Sequence, residues 1–232
     1  MEFKSENIYF ITLMDNEQRK NNVENIIKNI LPKSNIFEAI NALKLNNEII
    51  NKLINKGYLS ADYVKRAQNR IGAIGCTLSH LLLWRKLKKS KNKYIIIIED
   101  DTELKIDFTN KMNEIFKEIP ANTDYVTFFV HPYYKKKQDK IKNPNQKISK
   151  CVPMCGTVCY LLTLKGVKKI FKYLKNKNNI AESDTILNTM IRLNLLNAYC
   201  SNITVITTLG AIGKKDFDAE KTKFSSTIYM KN

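Results

Sequence analysis

The sequence predicts an α/β protein built on an open, mostly parallel, twisted sheet flanked by helices. Three observations carry that expectation. Short apolar runs alternate with segments whose apolar residues recur at helical spacing, the order that builds parallel strands joined through helices. One run, Tyr94 to Ile98, reads YIIII without polar alternation, as a central strand covered on both faces requires. It stops at Glu99, Asp100 and Asp101, which puts three acids at the end of a buried strand, where open α/β sheets collect ligands.

Taken in order, Ile8 to Leu13 suits a buried strand, and Val23, Ile26, Ile27, Ile30 and Leu31 come after it at helical spacing. A second strand is expected at Ile36 to Ile40, then a polar helical stretch from Asn46 to Asn69. Ile71, Ile74, Leu78, Leu81 and Leu82 mark a helix that continues to Lys88 and leads into the YIIII strand. Phe108, Met112, Ile115, Phe116 and Ile119 form an amphipathic helix closed by Pro120, and Asp124 to Val130 is the next strand. His131 to Lys150, basic and carrying Pro132 and Pro144, reads as a long loop. A strand at Thr157 to Thr163, a helix through Val167, Ile170, Phe171 and Leu174, and a helix over Asp184 to Leu195 come next. Short strands are expected at Ala198 to Cys200 and Ile203 to Ile206. One domain over residues 1–232 is expected, with 211–232 a polar tail of unassigned structure.

Lys+Arg 39 against Asp+Glu 22 gives a net charge of +17, which draws a protein toward anionic partners: nucleic acid, acidic lipid or phosphorylated substrate. No basic segment carries the interleaved aromatics of a single-strand stacking platform, so nucleic acid is not favoured. The apolar N-terminal run is too short for a signal peptide, and no run reaches the length of a membrane span. A cytoplasmic protein is expected, with membrane contact limited to a peripheral one at the inner face of the cytoplasmic membrane. The 5 cysteines fit reduced thiols. Cys151, Cys155 and Cys159 lack zinc-type pairs, and an extended segment spreads them too far for one ion. Gly72 and Gly75 complete no dinucleotide fingerprint and no Walker sequence is present, which leaves oxidoreductase and P-loop readings without support.

Three adjacent carboxylates repel one another at a strand end unless a cation offsets them, and hard oxygen ligands select Mg²⁺ or Mn²⁺. Such an ion clamps a diphosphate and stabilises it as a leaving group. The bland alternative is a solvated loop, or a cap for the helix that begins near Asp107.

Several blocks together resemble glycosyltransferase family 25, the lipooligosaccharide glycosyltransferases that also include collagen galactosyltransferase domains. IYFITLMDNEQR (Ile8 to Arg19) is similar to the family's opening strand with its downstream arginine. IGAIGCTLSHLLLW (Ile71 to Trp84) resembles its Gly-Cys-x-x-Ser-His-x-x-x-Trp block, and YIIIIEDD (Tyr94 to Asp101) its metal motif. GTVCYLLTLKGVKKI (Gly156 to Ile170) resembles its Gly-Thr segment, and Ser183-Asp184 stands where the family has an aspartate. Ala73 departs from a position that is often acidic in the family, and nothing after Leu209 matches.

The resemblance implies a GT-A fold, a UDP-sugar donor, a divalent metal and an inverting transfer of a hexose, galactose first, to a glycan or lipid-linked oligosaccharide acceptor such as lipooligosaccharide. It puts Leu13 and Arg19 near the nucleotide, with Arg19 a partner for a phosphate or for an acid of the cluster. Gly75, Ser79 and His80 line the same crevice, as do Gly156 and Thr157 of the Gly-Thr segment. Asp101 is the leading metal ligand, with Glu99 and Asp100 placing the donor and completing the coordination. An inverting displacement needs a base for the acceptor hydroxyl, and Asp184 is the candidate, with capping of its own helix as the alternative. His80 and Trp84, one turn apart, also suit simple packing, and His131 and Tyr133 stand beyond a strand end where acceptor or donor could bind. Two other classes compete: a basic protein that binds nucleic acid or anionic membrane, and a metal-dependent phosphoryl or nucleotidyl transferase.

Overall fold

The computed structural model describes residues 1–209, and the expected tail over 211–232 lies outside them. Along the chain run β1 (Ile8–Thr12), α1 (Glu17–Asn29), β2 (Asn35–Glu38), α2 (Asn47–Asn55), α3 (Ala61–Ala67), α4 (Ile71–Lys89) and β3 (Tyr94–Glu99). Next come β4 (Thr102–Leu104), α5 (Phe108–Glu118), β5 (Tyr125–Thr127), α6 (Pro132–Asp139) and β6 (Ile148–Lys150). The last are β7 (Cys159–Thr163), α7 (Leu164–Tyr173), α8 (Ser183–Arg192), β8 (Ala198–Ser201) and β9 (Ile206–Thr208).

The main sheet has the order β2-β1-β3-β7-β5-β8-β6. Strands β2, β1, β3, β5 and β8 share one direction, and β7 and β6 oppose them, so the open, mostly parallel α/β sheet is present. β3 lies inside it, between β1 and β7, and its isoleucines divide between two cores. Ile95 and Ile97 pack with Trp84, Tyr160, Leu162 and Val167, on the side of α4 and α7. Ile96 and Ile98 pack with Phe10, Val23, Phe108 and Phe116, on the side of α1 and α5. Both faces are dry, which is why the run has no polar alternation; each isoleucine contributes roughly 1.5–3 kcal/mol on burial.

Helix starts are fixed by the residue types expected there. Asn16 accepts from Arg19 N (3.1 Å), Ser60 from Tyr63 N (3.2 Å) and Thr163 from Gly166 N (3.0 Å).

The segment His131 to Lys150 is not a loop throughout. Pro132 opens α6, His131 caps it, and β6 pairs antiparallel with β8. Buried Gln138 joins the two, donating to Lys150 O (2.8 Å) and accepting from Val152 N (2.9 Å). The lysines hid this pattern, because only one polar side chain of α6 turns inward. Boundaries also shift: the strand expected over Asp124 to Val130 shortens to β5, and the last strand moves to β9. β9 pairs with β4, immediately after the acids of β3.

Candidate active site

Glu99, Asp100 and Asp101 leave β3 beside the end of β1, where Ile11 pairs with Glu99. The protein itself consumes the middle acid. Asp100 is buried, Oδ1 meets Arg19 Nη1 in a short ion pair, and Oδ2 accepts from Leu13 N at 3.3 Å. Asn22 Nδ2 holds the turn, donating to Asp100 O (3.0 Å) and Thr102 O (2.9 Å). Burial pushes the Asp100 carboxyl up from its ordinary value, and Arg19 opposes the rise.

Asp101 is treated differently. Its Oδ2 lies 3.9 Å from Arg19 Nη2, while Oδ1 is buried and has no hydrogen-bond partner among the described residues. Burial, followed by the charge of Glu99, pushes its carboxyl up to about 7. Its carbonyl accepts from Leu209 N (2.6 Å) and Thr208 Oγ1 (3.1 Å) of the β9 segment.

Glu99 Oε1 accepts from Thr157 Oγ1 at 2.6 Å and lies 3.4 Å from His80 Nε2. Burial raises this carboxyl, but His80, Thr157 and Arg19 together outweigh it and hold Glu99 below the ordinary range. All three acids line a crevice of about 490 Å³, within the usual size of a small-ligand site. Leu13, Arg19, Ile40, Cys76 and His80 line it with the acids.

Gly75 and Ser79 shape the wall. A Cβ at Gly75 would stand 2.3 Å from Ile40 O, so only glycine lets α4 approach the segment after β2 this closely. Ser79 Oγ donates to Gly75 O (2.7 Å) and accepts from Ile40 N (2.8 Å), locking that approach. Ser79 also lines the crevice; Gly75 stands behind it.

Asp184 lies in the first turn of α8, but the capping position belongs to Glu182, whose side chain caps nothing and instead pairs with Arg70 at 2.6 Å. Asp184 Oδ2 accepts from Gly156 N at 3.3 Å, and Gly156 has a φ of +107°. Burial raises the Asp184 carboxyl.

The family model described as "Glycosyltransferase family 25 (LPS biosynthesis protein)" matches residues 5–187. The chain belongs to glycosyltransferase family 25.

Among its relatives are a putative glycosyltransferase of Haemophilus influenzae, 29% identical over 73% of this chain and 58% of that protein. The lipooligosaccharide biosynthesis protein lic2B of the same organism is 30% identical over 72% and 62%. Procollagen galactosyltransferase 2 of Mus musculus is 24% identical over 70% of this chain and 27% of its own length. The match thus spans less than two thirds of each of these relatives. Among solved structures, galactosyltransferase LgtC with donor and acceptor sugar analogs aligns at a TM-score of 0.41 and 9% identity, over 79% of this chain and 70% of that one.

In this family 25 chain, Leu13, Arg19, Ser79, His80 and the three acids line one crevice; Thr157 is joined to it through Glu99, and Gly156 and Asp184, bonded to each other, are not part of its lining. Sequence reasoning missed Cys76, which lines it, although Cys76 belongs to the Gly-Cys block. Ligand atoms of Cys76, His80 and Glu99 lie within 4.8 Å of one another, a grouping the sequence did not suggest. Asn22 and the wall from Ala39 to Leu43 were also missed, since nothing local in the sequence marks contacts this distant. All five cysteines are free. No helix among the described residues is long and apolar enough to cross a membrane.

Proposed function

We propose that this chain transfers a hexose, galactose first, from a UDP-sugar to a glycan acceptor with inversion and with a divalent metal. The observation that carries the reading is the division of labour among the three acids. All three line the crevice, but Arg19 and Leu13 occupy both oxygens of Asp100, Thr157 takes one oxygen of Glu99, and Asp101 Oδ1 has no partner among the described residues. Asp101 Oδ1, buried and without a partner among the described residues, suits a cation, and the hard carboxylate set suits Mn²⁺ or Mg²⁺. Asp101 and Glu99 would hold that ion, which supplies charge stabilisation to a departing diphosphate.

The chain's own groups do the rest. The wall from Ala39 to Leu43 supports a nucleoside, and Asp184 takes the proton of the acceptor hydroxyl as that oxygen bonds to the anomeric carbon and UDP leaves. Burial keeps Asp184 a stronger base than an exposed carboxylate. On the acceptor side, Tyr134 meets the side chain of Cys155, whose neighbour Gly156 donates to Asp184. Tyr133, 76% exposed, stands edge to face with Tyr134 at 5.0 Å and offers a sugar an aromatic surface. Exposed Lys135, Lys136 and Lys137 on the same helix suit an anionic acceptor, such as a phosphorylated core oligosaccharide at the inner face of the cytoplasmic membrane. The relatives named for lipooligosaccharide biosynthesis and galactosyl transfer support this choice of substrates.

The test is UDP-sugar turnover with and without Mn²⁺, in wild type and Asp101→Ala. Metal-dependent turnover that the substitution abolishes supports the reading. Wild type that neither binds UDP nor hydrolyses a donor with metal present sinks it, and tight, salt-sensitive polynucleotide binding in its place would favour a basic binding protein.

A further inference from the structure

A buried line of ring groups ends on Glu99. Trp84 Nε1 donates to Tyr160 Oη at 2.7 Å, Tyr160 Oη lies 2.7 Å from His80 Nδ1, and His80 Nε2 lies 3.4 Å from Glu99 Oε1. Trp84, Tyr160 and His80 are each 0% exposed, out of reach of bulk solvent.

The chemistry of these groups fixes the protons. An indole N–H only donates, so Tyr160 Oη accepts from Trp84 and must place its own proton elsewhere. The available acceptor is His80 Nδ1. Were Nδ1 protonated, Tyr160 would receive two donors and its own buried proton would have no partner, an arrangement proteins avoid. Nδ1 therefore accepts, and the ring proton sits on Nε2, the nitrogen that faces Glu99. The far end gives the same result, since an unprotonated Nε2 would turn its lone pair toward a carboxylate.

We infer that His80 is a positioning residue, locked by Tyr160 and Trp84 as the Nε2–H tautomer, which joins Thr157 in fixing Oε1 of Glu99 and does not ligate metal. Thr157 Oγ1, from the segment before β7, donates to Oε1, and His80 Nε2, from α4, faces the same oxygen at 3.4 Å and has no closer hydrogen-bond partner among the described residues. Glu99 thus meets the crevice with one oxygen committed and its rotation restricted. The grouping of Cys76, His80 and Glu99 resembles a soft-metal site in its spacing alone, because the nitrogen that would ligate carries a proton. The consequence for catalysis rests on the proposed transfer; the tautomer does not.

The experiment uses the full chain labelled with ¹⁵N-histidine. With 2 histidines in the sequence, His131→Gln assigns the signals. Long-range ¹H–¹⁵N spectra of wild type are expected to show His80 with an unprotonated Nδ1 and a protonated Nε2, and Tyr160→Phe to lose that preference. A wild-type Nδ1–H tautomer overturns the inference without needing any variant to fold. Adding Co²⁺ alone is expected to give no thiolate-to-cobalt absorption and no change at His80 Nε2; both together overturn it. For positioning, His80→Leu is expected to lower donor turnover about 10- to 100-fold, while His80→Gln, which restores an N–H toward Glu99, recovers most of it. Equal losses in the two variants overturn the positioning role. Wild type with the expected tautomer but no turnover would sink the proposed transfer and leave the tautomer standing.

Discussion

Arg19 divides its guanidinium between two neighbouring acids unequally: Nη1 pairs closely with Asp100 in the interior, and Nη2 stays 3.9 Å from Asp101. One acid is tied into the fold by its ion pair, and the next keeps a carboxylate oxygen, Oδ1, without a hydrogen-bond partner among the described residues. Both side chains of the close pair are under 10% exposed, at 9% and 6%. Removing one partner of such a pair strands a buried charge. Arg19→Ala is expected to cost about 3–5 kcal/mol in urea denaturation, and Arg19→Ala/Asp100→Ala together less than the sum of the two single changes.

Asp101→Asn keeps the shape of the side chain and removes its charge. Calorimetric Mn²⁺ binding and metal-dependent turnover are both expected to be lost, with the thermal unfolding of the metal-free protein retained. Retained tight Mn²⁺ binding would move the ion to other residues.

Gly75→Ala places a methyl group against Ile40 O. Separating α4 from that wall is expected to cost about 1–3 kcal/mol and to weaken UDP binding, measured by equilibrium titration. An alanine variant as stable as wild type would show that the close approach is not required.

Asp184 as base must be deprotonated to act. Burial raises its carboxyl, so the acidic limb of kcat should lie above the ordinary carboxylate value, with activity rising as pH rises through it. Asp184→Asn is expected to lower kcat by about 10²- to 10⁴-fold with donor affinity unchanged, and to remove that limb. An unaltered pH profile in the variant would take the role from Asp184.

Tyr133→Ala tests the acceptor side. Loss of an exposed aromatic surface is expected to raise the acceptor KM about 2- to 10-fold and leave the donor KM as it was. A change in donor KM alone would place Tyr133 on the other side of the reaction.

The sheet and its acids were legible because local composition dictates them. A run of isoleucines has to be buried on both faces, and that burial alone carries Glu99, Asp100 and Asp101 to the end of a sheet. Arg19 as partner for an acid of the cluster was readable from the charge and from the opening block. The roles of Trp84 and Tyr160 were not, because their meaning depends on a hydroxyl that joins α4 to β7 across 76 residues. Trp84 reads as core and is core, yet its one polar atom sets the proton on His80. α6 escaped notice for a different reason: lysines dominate its surface, and it turns only Tyr134 and the polar Gln138 inward.

The carbonyl of Asp101 is held by Thr208 and Leu209, more than a hundred residues after it in the chain. During synthesis, β3 and its acids leave the ribosome long before β9 exists to grip them. The backbone of Asp101 is therefore braced late, and a nascent chain stalled ahead of Thr208 would carry all three acids without the hold that sets the last of them.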